Sequence, residues 1–312
     1  MQERDYREAA LHWSSVLDVT TLTPEQRANV YANRASSYVR FGEIDLAVSD
    51  ADAAIALNAD KPQLHVLRGG LYLEKHKPDK AREEFDLALH IKPGFPEALA
   101  SRGAADLQQG QIDQAITDLD AAIAAKSYVA EFFIGRGNAY RLAGKSNLAM
   151  ADFNEAVRRD PRDADVYRAR WLAFYQAGNI PAAISDLKQS LTLNPGQSHV
   201  VIWLHLLRQR AKDADAVEFT QNLANLHVTK WPLPIVDFYR GSLNADQMTA
   251  AAADSDPDIA RNKQCEAAYY AAHPPGGNRK TDETRRLLLS AEQMCPIDFV
   301  EHQLVQIDLK GM

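Results

Sequence analysis

Cysteine is scarce in this chain, two residues among 312, which excludes a miniprotein held by a disulfide lattice and leaves too few thiolates for a structural zinc site. Positive charge is not in excess either. The formal net charge is -7, so recognition of nucleic acid through a bulk basic surface is excluded. Glycine (15) and proline (14) are ordinary in number, which argues against collagen and low-complexity linkers. No apolar stretch reaches the ~18 residues that would span a bilayer. The opening run Gln2-Glu-Arg-Asp-Tyr-Arg-Glu8 is polar where a secretory signal is apolar. The chain is therefore read as cytoplasmic, or as exported under a signal encoded before Met1.

What the sequence has instead is a period. Written in rows of 34 residues, it aligns Ala35, Gly69, Gly103, Gly137 and Trp171, and then Ala47, Ala81, Ala115, Ala149 and Ala183. Four residues on stand Ala51, Phe85, Leu119, Phe153 and Leu187, followed by Ala54, Ala88, Ala122, Ala156 and Ser190. Gly42, Gly110, Gly144 and Gly178 punctuate the middle of four of the five units, and Pro93, Pro161 and Pro195 the end of three. Apolar and small positions fall at three- and four-residue steps, so each unit is predicted to be two amphipathic helices of about a dozen residues. Small residues in contact columns let the two helices approach closely.

A further column carries charge. Arg34, Arg68, Arg102, Arg136 and Arg170 each stand sixteen residues before an acid, namely Asp50, Glu84, Asp118, Asp152 and Asp186. The column reads either as an arginine ladder for an anionic ligand or as an ion pair within each hairpin, and the unbroken match with an acid favours the pair. Partly exposed pairs contribute only about 0.2–1 kcal/mol, so they would set register more than stability.

The period, the alanine columns, the aromatics Tyr38, Tyr72, Tyr140 and Phe174 and the trailing prolines closely resemble the tetratricopeptide repeat. The resemblance implies an all-α fold, an α-α superhelix in which first helices line a concave face and second helices form the back. The organisation read from the chain is a partial repeat or cap helix with a linker over 1–27, five 34-residue units over 28–197, and a degenerate helical region over 198–312.

At the start, Tyr6 to Leu17 looks like a lone second helix, with Ala9, Trp13 and Val16 in the contact spacing. An exposed Trp13 there suggests a segment upstream or an atypical cap. Residues 18–27 form a longer linker, in which Thr23-Pro24 is the expected start of a helix. Beyond Pro195, Val200, Trp203, Leu204, Leu207, Val217, Leu223 and Leu226 keep helical periodicity in a degenerate sixth unit. A short helix opens at Trp231-Pro232, an alanine-rich one covers Ala245 to Ala253, a hairpin runs from Asp258 to Pro296 around a loop His273–Lys280, and a last helix spans Asp298 to Leu309. Trp231-Pro232, Phe238-Tyr239-Arg240-Gly241, Cys265-Glu266-Ala-Ala-Tyr-Tyr270 and Phe299-Val300-Glu301-His302 resemble the C-terminal block of NlpI-like bacterial lipoproteins. That resemblance implies a periplasmic, often dimeric adaptor that recruits cell-wall hydrolases and a processing protease. The sequence departs from it in lacking an N-terminal lipobox cysteine and in the His273–Lys280 loop.

Little else suggests chemistry. Ala139 to Ser146 approaches a phosphate loop, but Ala139 stands where glycine is required and the stretch ends a helix rather than a strand. The nine histidines form no His-Glu-x-x-His pair, and His199 and His205 do not share a helix face. No Gly-x-Ser-x-Gly elbow is present. Cys265 and Cys295 are expected at the same end of one hairpin, either as a disulfide worth roughly 3–4 kcal/mol by loop closure or as two buried thiols; a disulfide would point to an oxidising compartment. The expectation is thus a non-enzymatic adaptor without cofactor, metal or nucleic acid, binding a protein or peptide, with a cytoplasmic scaffold as the alternative and a hydrolase behind both. A homodimer is implied by the resemblance alone. The groove candidates are Asn29, Ser36, Arg40, Gln63, Glu74, Glu97, Gln108, Glu131, Asn138, Arg141, Asp165, Arg168, Tyr175 and Gln176. They form a mixed polar surface, acids toward the earlier units and arginines toward the later, suited to a segment of mixed charge and lacking the clustered Lys, Arg and Asn that clamp a peptide C-terminus.

Overall fold

A computed structural model describes residues 3–213, 216–275, 281–297 and 299–312. Two compact units divide the chain, Met1–Tyr128 and Val129–Met312. The first holds α1 (Glu3–Leu17) and three hairpins: α2 (Pro24–Arg40) with α3 (Ile44–Leu57), α4 (Pro62–Glu74) with α5 (Pro78–Ile91), and α6 (Pro96–Gln108) with α7 (Ile112–Ala125). The second continues with α8 (Ala130–Leu142) and α9 (Ser146–Arg159), α10 (Ala164–Gln176) and α11 (Ile180–Leu193), then α12 (Ser198–Arg210) and α13 (Ala216–Ala224). It ends in α14 (Leu233–Tyr239), α15 (Ala245–Ala250), α16 (Pro257–Ala272), α17 (Thr281–Met294) and α18 (Val300–Gly311). The all-α repeat class read from the sequence holds, and there is no strand among the described residues.

The alanine columns are the hairpin cores. Ala47, Ala81, Ala115, Ala149 and Ala183 are all 0% exposed, because a larger side chain there would push the paired helices apart. Sixteen residues separate two positions whose volumes compensate: Gly69 meets Phe85, Gly137 meets Phe153 and Gly103 meets Leu119, whereas Ala35 packs in a cluster with Ala51. The bulky member, Trp171, is 0% exposed and stacks on Trp203 of α12 with ring centroids 5.3 Å apart.

The turn column runs further than its glycines. Gly42, Gly110, Gly144 and Gly178 have φ of 72–78°, the left-handed region that glycine enters without a Cβ penalty. His76 (φ 51°) and Lys212 (φ 55°) hold the same conformation at the same interval. Lys212 thereby places α12 and α13 in register as a sixth hairpin.

The arginine column is structural. Arg34 and Asp50 pair at 2.7 Å, Arg68 and Glu84 at 2.6 Å, Arg102 and Asp118 at 2.7 Å, Arg136 and Asp152 at 2.8 Å, and Arg170 and Asp186 at 2.8 Å. Arg68, Arg102 and Arg170 also reach back to the second helix of the preceding hairpin, to Asp52 (2.7 Å), Asp86 (2.7 Å) and Asn154 (2.8 Å), and Arg34 reaches Ser14 of α1 (2.9 Å). The planar guanidinium, with five donors, is suited to such bracing in a way that lysine is not.

At the start of the chain, Thr23 caps α2 in a capping box with Gln26. The lone helix α1 packs on α2, with the Arg40 guanidinium 5.1 Å from the Tyr6 ring and the Arg7 guanidinium 4.9 Å from Phe41. Trp13 is half-buried. At the other end, α16 stops at Ala272 before the expected loop, of which residues 276–280 lie outside the described residues, as does Asp298 ahead of α18.

Candidate functional site

Within the first unit, the first helices of the hairpins present a polar face with a groove. Its volume is about 590 Å³, and Asn29, Asn33, Ser36, Lys61, Gln63 and Leu67 are among its lining residues. The Lys61 ammonium donates to Asn29 Oδ1 at 2.5 Å. Of the sequence-derived candidates, Asn29, Ser36 and Gln63 come together here. Ser36 and Gln63 are exposed and Asn29 is half-buried. Arg40 instead lies against Tyr6 of α1. Glu74 is exposed and Gln108 half-buried, neither lining the groove. Glu97 is ion-paired with Lys126.

In the second unit, Glu131, Asp165 and Arg168 are exposed, and Asn138 and Arg141 are half-buried. Arg168 and Asp165 form a 2.9 Å pair along one helix. Tyr175 and Gln176 both meet the chain's own C-terminal helices, Tyr175 buried and Gln176 still exposed. Tyr175 is 8% exposed, with the Arg210 guanidinium 5.5 Å from its ring, and Gln176 donates to Gln303 of α18 at 3.1 Å. On α12, the positions corresponding to the open face of the first unit are likewise covered, with Ile202 and Leu206 at 0% and 4% exposure.

The covering rests on a polar network that gathers the C-terminal motif residues. Trp231 Nε1 donates to Glu266 at 3.0 Å, and His199 Nε2 lies 3.0 Å from the same carboxylate. The Tyr270 hydroxyl donates to Glu301 at 2.6 Å, and Trp203 Nε1 reaches both Tyr270 Oη (3.0 Å) and Glu301 (3.3 Å). Burial, then the nearby Glu266 charge, pushes the Glu301 carboxyl above its usual range. Burial lowers His199, but the Glu266 and Glu301 carboxylates outweigh it and leave the imidazole raised. Two turns away, Asp308 accepts from Arg210 at 2.7 Å and lies 2.9 Å from His273 Nε2. Arg210, His273 and Asp308 border a cavity of about 350 Å³ that Tyr175, Leu288 and Ile307 help line, with the Arg210–Asp308 ion pair in direct contact at its wall. The sequence reading took Trp231, Glu266, Tyr270 and Glu301 as family motifs and missed their convergence. The local signal was the concentration of Trp, Tyr and Glu in three short blocks.

Cys265, midway along α16 rather than at the hairpin's end, and Cys295, just past the end of α17, stand together, Cα atoms 4.9 Å apart and both buried. A second oversight concerns the aromatic column. Asp106 occupies the place of Tyr72 and Tyr140, is 1% exposed and pairs with Arg82. A break in that column was the visible sign. Among the described residues no group of three or more His, Cys, Asp or Glu could hold a metal ion, and no helix is long and apolar enough to cross a membrane.

A family model described as Tetratricopeptide repeat matches residues 33–96, 101–164 and 134–198. No curated protein matches the chain. Among solved structures, it is similar to a thermophilic TPR protein of Thermus thermophilus, 16% identical over 58% of this chain and 99% of that one, TM-score 0.55. It is also similar to pilF of Pseudomonas aeruginosa, 16% identical over 64% and 91% of the two chains, TM-score 0.50. In the Cut9–Hcn1 hetero-tetramer of the APC/C the likeness covers 84% of this chain and 46% of that one at 14% identity, TM-score 0.56. At these identities the likeness is one of fold.

Proposed function

Because the chain belongs to the tetratricopeptide repeat family, we propose that it is a non-enzymatic adaptor that holds a protein or extended peptide against the first helices of its repeats, working in the bacterial periplasm on cell-envelope assemblies. The observation that carries this reading is a contrast. The face of α12 is covered by the chain's own C-terminal helices, whereas α2 and α4 keep an open, polar groove of about 590 Å³. A surface with exposed amide and hydroxyl side chains over a rigid helical floor suits recognition of a peptide backbone. The periplasmic placement rests on the C-terminal motif blocks and on the apposed Cys265 and Cys295, which we take to be oxidised in the native protein.

Photo-cross-linking in producing cells tests the binding face. A benzoylphenylalanine at Ser36 or Gln63 is expected to give discrete adducts, and one at the exposed Leu46 of α3 none. Adducts at neither groove position would refute the reading. Thiols that react with a maleimide in natively produced protein before any reduction would remove the support for the periplasm.

A further inference from the structure

Gly69 and Gly70 are neighbours in α4 with different reasons for being glycine. A Cβ on Gly69 would strike the Phe85 ring, while one on Gly70 would meet nothing within 4 Å. A mid-helix glycine lowers helix stability relative to alanine, and no internal contact accounts for it at Gly70. The residue lies one turn beyond Leu67 on the helix that contributes Gln63, Leu64 and Leu67 to the groove. It is the register equivalent, 34 residues on, of the groove residue Ser36. A missing side chain beside a groove is what close approach of a ligand to helix backbone requires. The lining residues also carry one charge only, Lys61, whose ammonium is bonded to the neutral Asn29 amide. A cation with a neutral partner is complementary to a carboxylate.

We propose that the groove between α2 and α4 takes an extended peptide segment that sets an internal acidic side chain against Lys61 and crosses the helix backbone at Gly70. This rests on the adaptor reading above and narrows it to one surface and one class of segment. Asn29, Asn33 and Gln63 offer amides that pair with a peptide's own N–H and C=O groups, and Leu67 offers an apolar contact between them.

The test uses the full chain and three pools of synthetic decapeptides. Two pools are blocked at both ends and carry either one central Asp or Glu or one central Lys; the third has a free C-terminal carboxylate and no acidic side chain. Retained peptides are then titrated by fluorescence anisotropy. The expected result is retention from the acidic pool alone, weakened at least tenfold by Gly70→Trp and by Lys61→Glu and about threefold by Gly70→Ala, with helical circular dichroism unchanged in all three. Equal binding by Gly70→Trp overturns the proposed path, and retention from the Lys or free-carboxylate pools overturns the proposed chemistry; the adaptor reading survives either result if Ser36 and Gln63 still cross-link in cells. No retention by the wild type overturns the proposal, and absence of cross-links as well overturns the reading beneath it.

Discussion

Alanine at Gly69 and alanine at Gly70 are predicted to change stability in opposite directions. A Cβ at Gly69 falls inside contact distance of Phe85, with Cζ at 2.8 Å and Cδ1 at 2.9 Å. The ring is 0% exposed and sits against Ala81 and Ala105, so it has no room to swing away. Overpacking a closed core costs about 1–3 kcal/mol, and so direct a clash belongs at the upper end of that range. Alanine in place of glycine recovers about 1 kcal/mol of helix propensity, leaving Gly69→Ala destabilised by about 2 kcal/mol. At Gly70 only the propensity term operates, and stability should rise by about 0.5–1 kcal/mol. Urea denaturation followed by far-ultraviolet circular dichroism reads both changes as midpoint shifts at constant slope. Phe85→Leu should relieve the clash, since Leu119 already faces Gly103 with a nearest approach of 3.1 Å; the double variant is expected to couple by about 1–2 kcal/mol. A Gly69→Ala protein with a midpoint at or above the wild type, or a Gly70→Ala protein clearly below it, would refute this account of the volume columns.

The other predictions concern charge and backbone. Glu301 and His199 are both raised in the folded state. Their contribution is therefore present below the unfolded values and is lost as pH climbs through the folded ones, from about 4.3 for the carboxyl and about 6.5 for the imidazole. Docking of α16 and α18 on α12 should weaken as pH climbs above these unfolded values, and Glu301→Gln should flatten that dependence; tryptophan fluorescence during denaturation at each pH is the readout, and an unaltered slope counts against the network. Arg102→Lys keeps the charge but cannot span Asp118 and Asp86 together, and a loss of about 1–2 kcal/mol is expected, with a cycle against Asp118→Asn isolating the shared part. His76→Gly removes a side chain from the left-handed turn and should stabilise the protein by about 1 kcal/mol, seen as a higher denaturation midpoint.

The repeat architecture was legible in the sequence because it is written in local periodicity. Ala47 and its four equivalents, the turn glycines and the Arg–acid spacing of sixteen each constrain neighbours within one hairpin, so their meaning depends on distances along the chain. Thr23 as a cap and the helix over Val200 to Leu207 followed from the same kind of signal. Groove membership was less readable. Asn29, Ser36 and Gln63 were found by counting repeat positions, but the same counting took in Tyr175, which is buried, and Gln176, whose exposed amide is bonded to α18.

That difference has a physical cause. Hairpin geometry and register are set by contacts between residues a fixed number of positions apart, and so they can be read along the chain. The covering of α12 depends on Glu301 meeting Trp203 across 98 positions and on Glu266 meeting His199 across 67. Such pairings have no period, and they become visible when the chain is folded. The same holds for the open space above Gly70, which identical glycines at 69 and 70 do not distinguish until Phe85 is placed beside one of them.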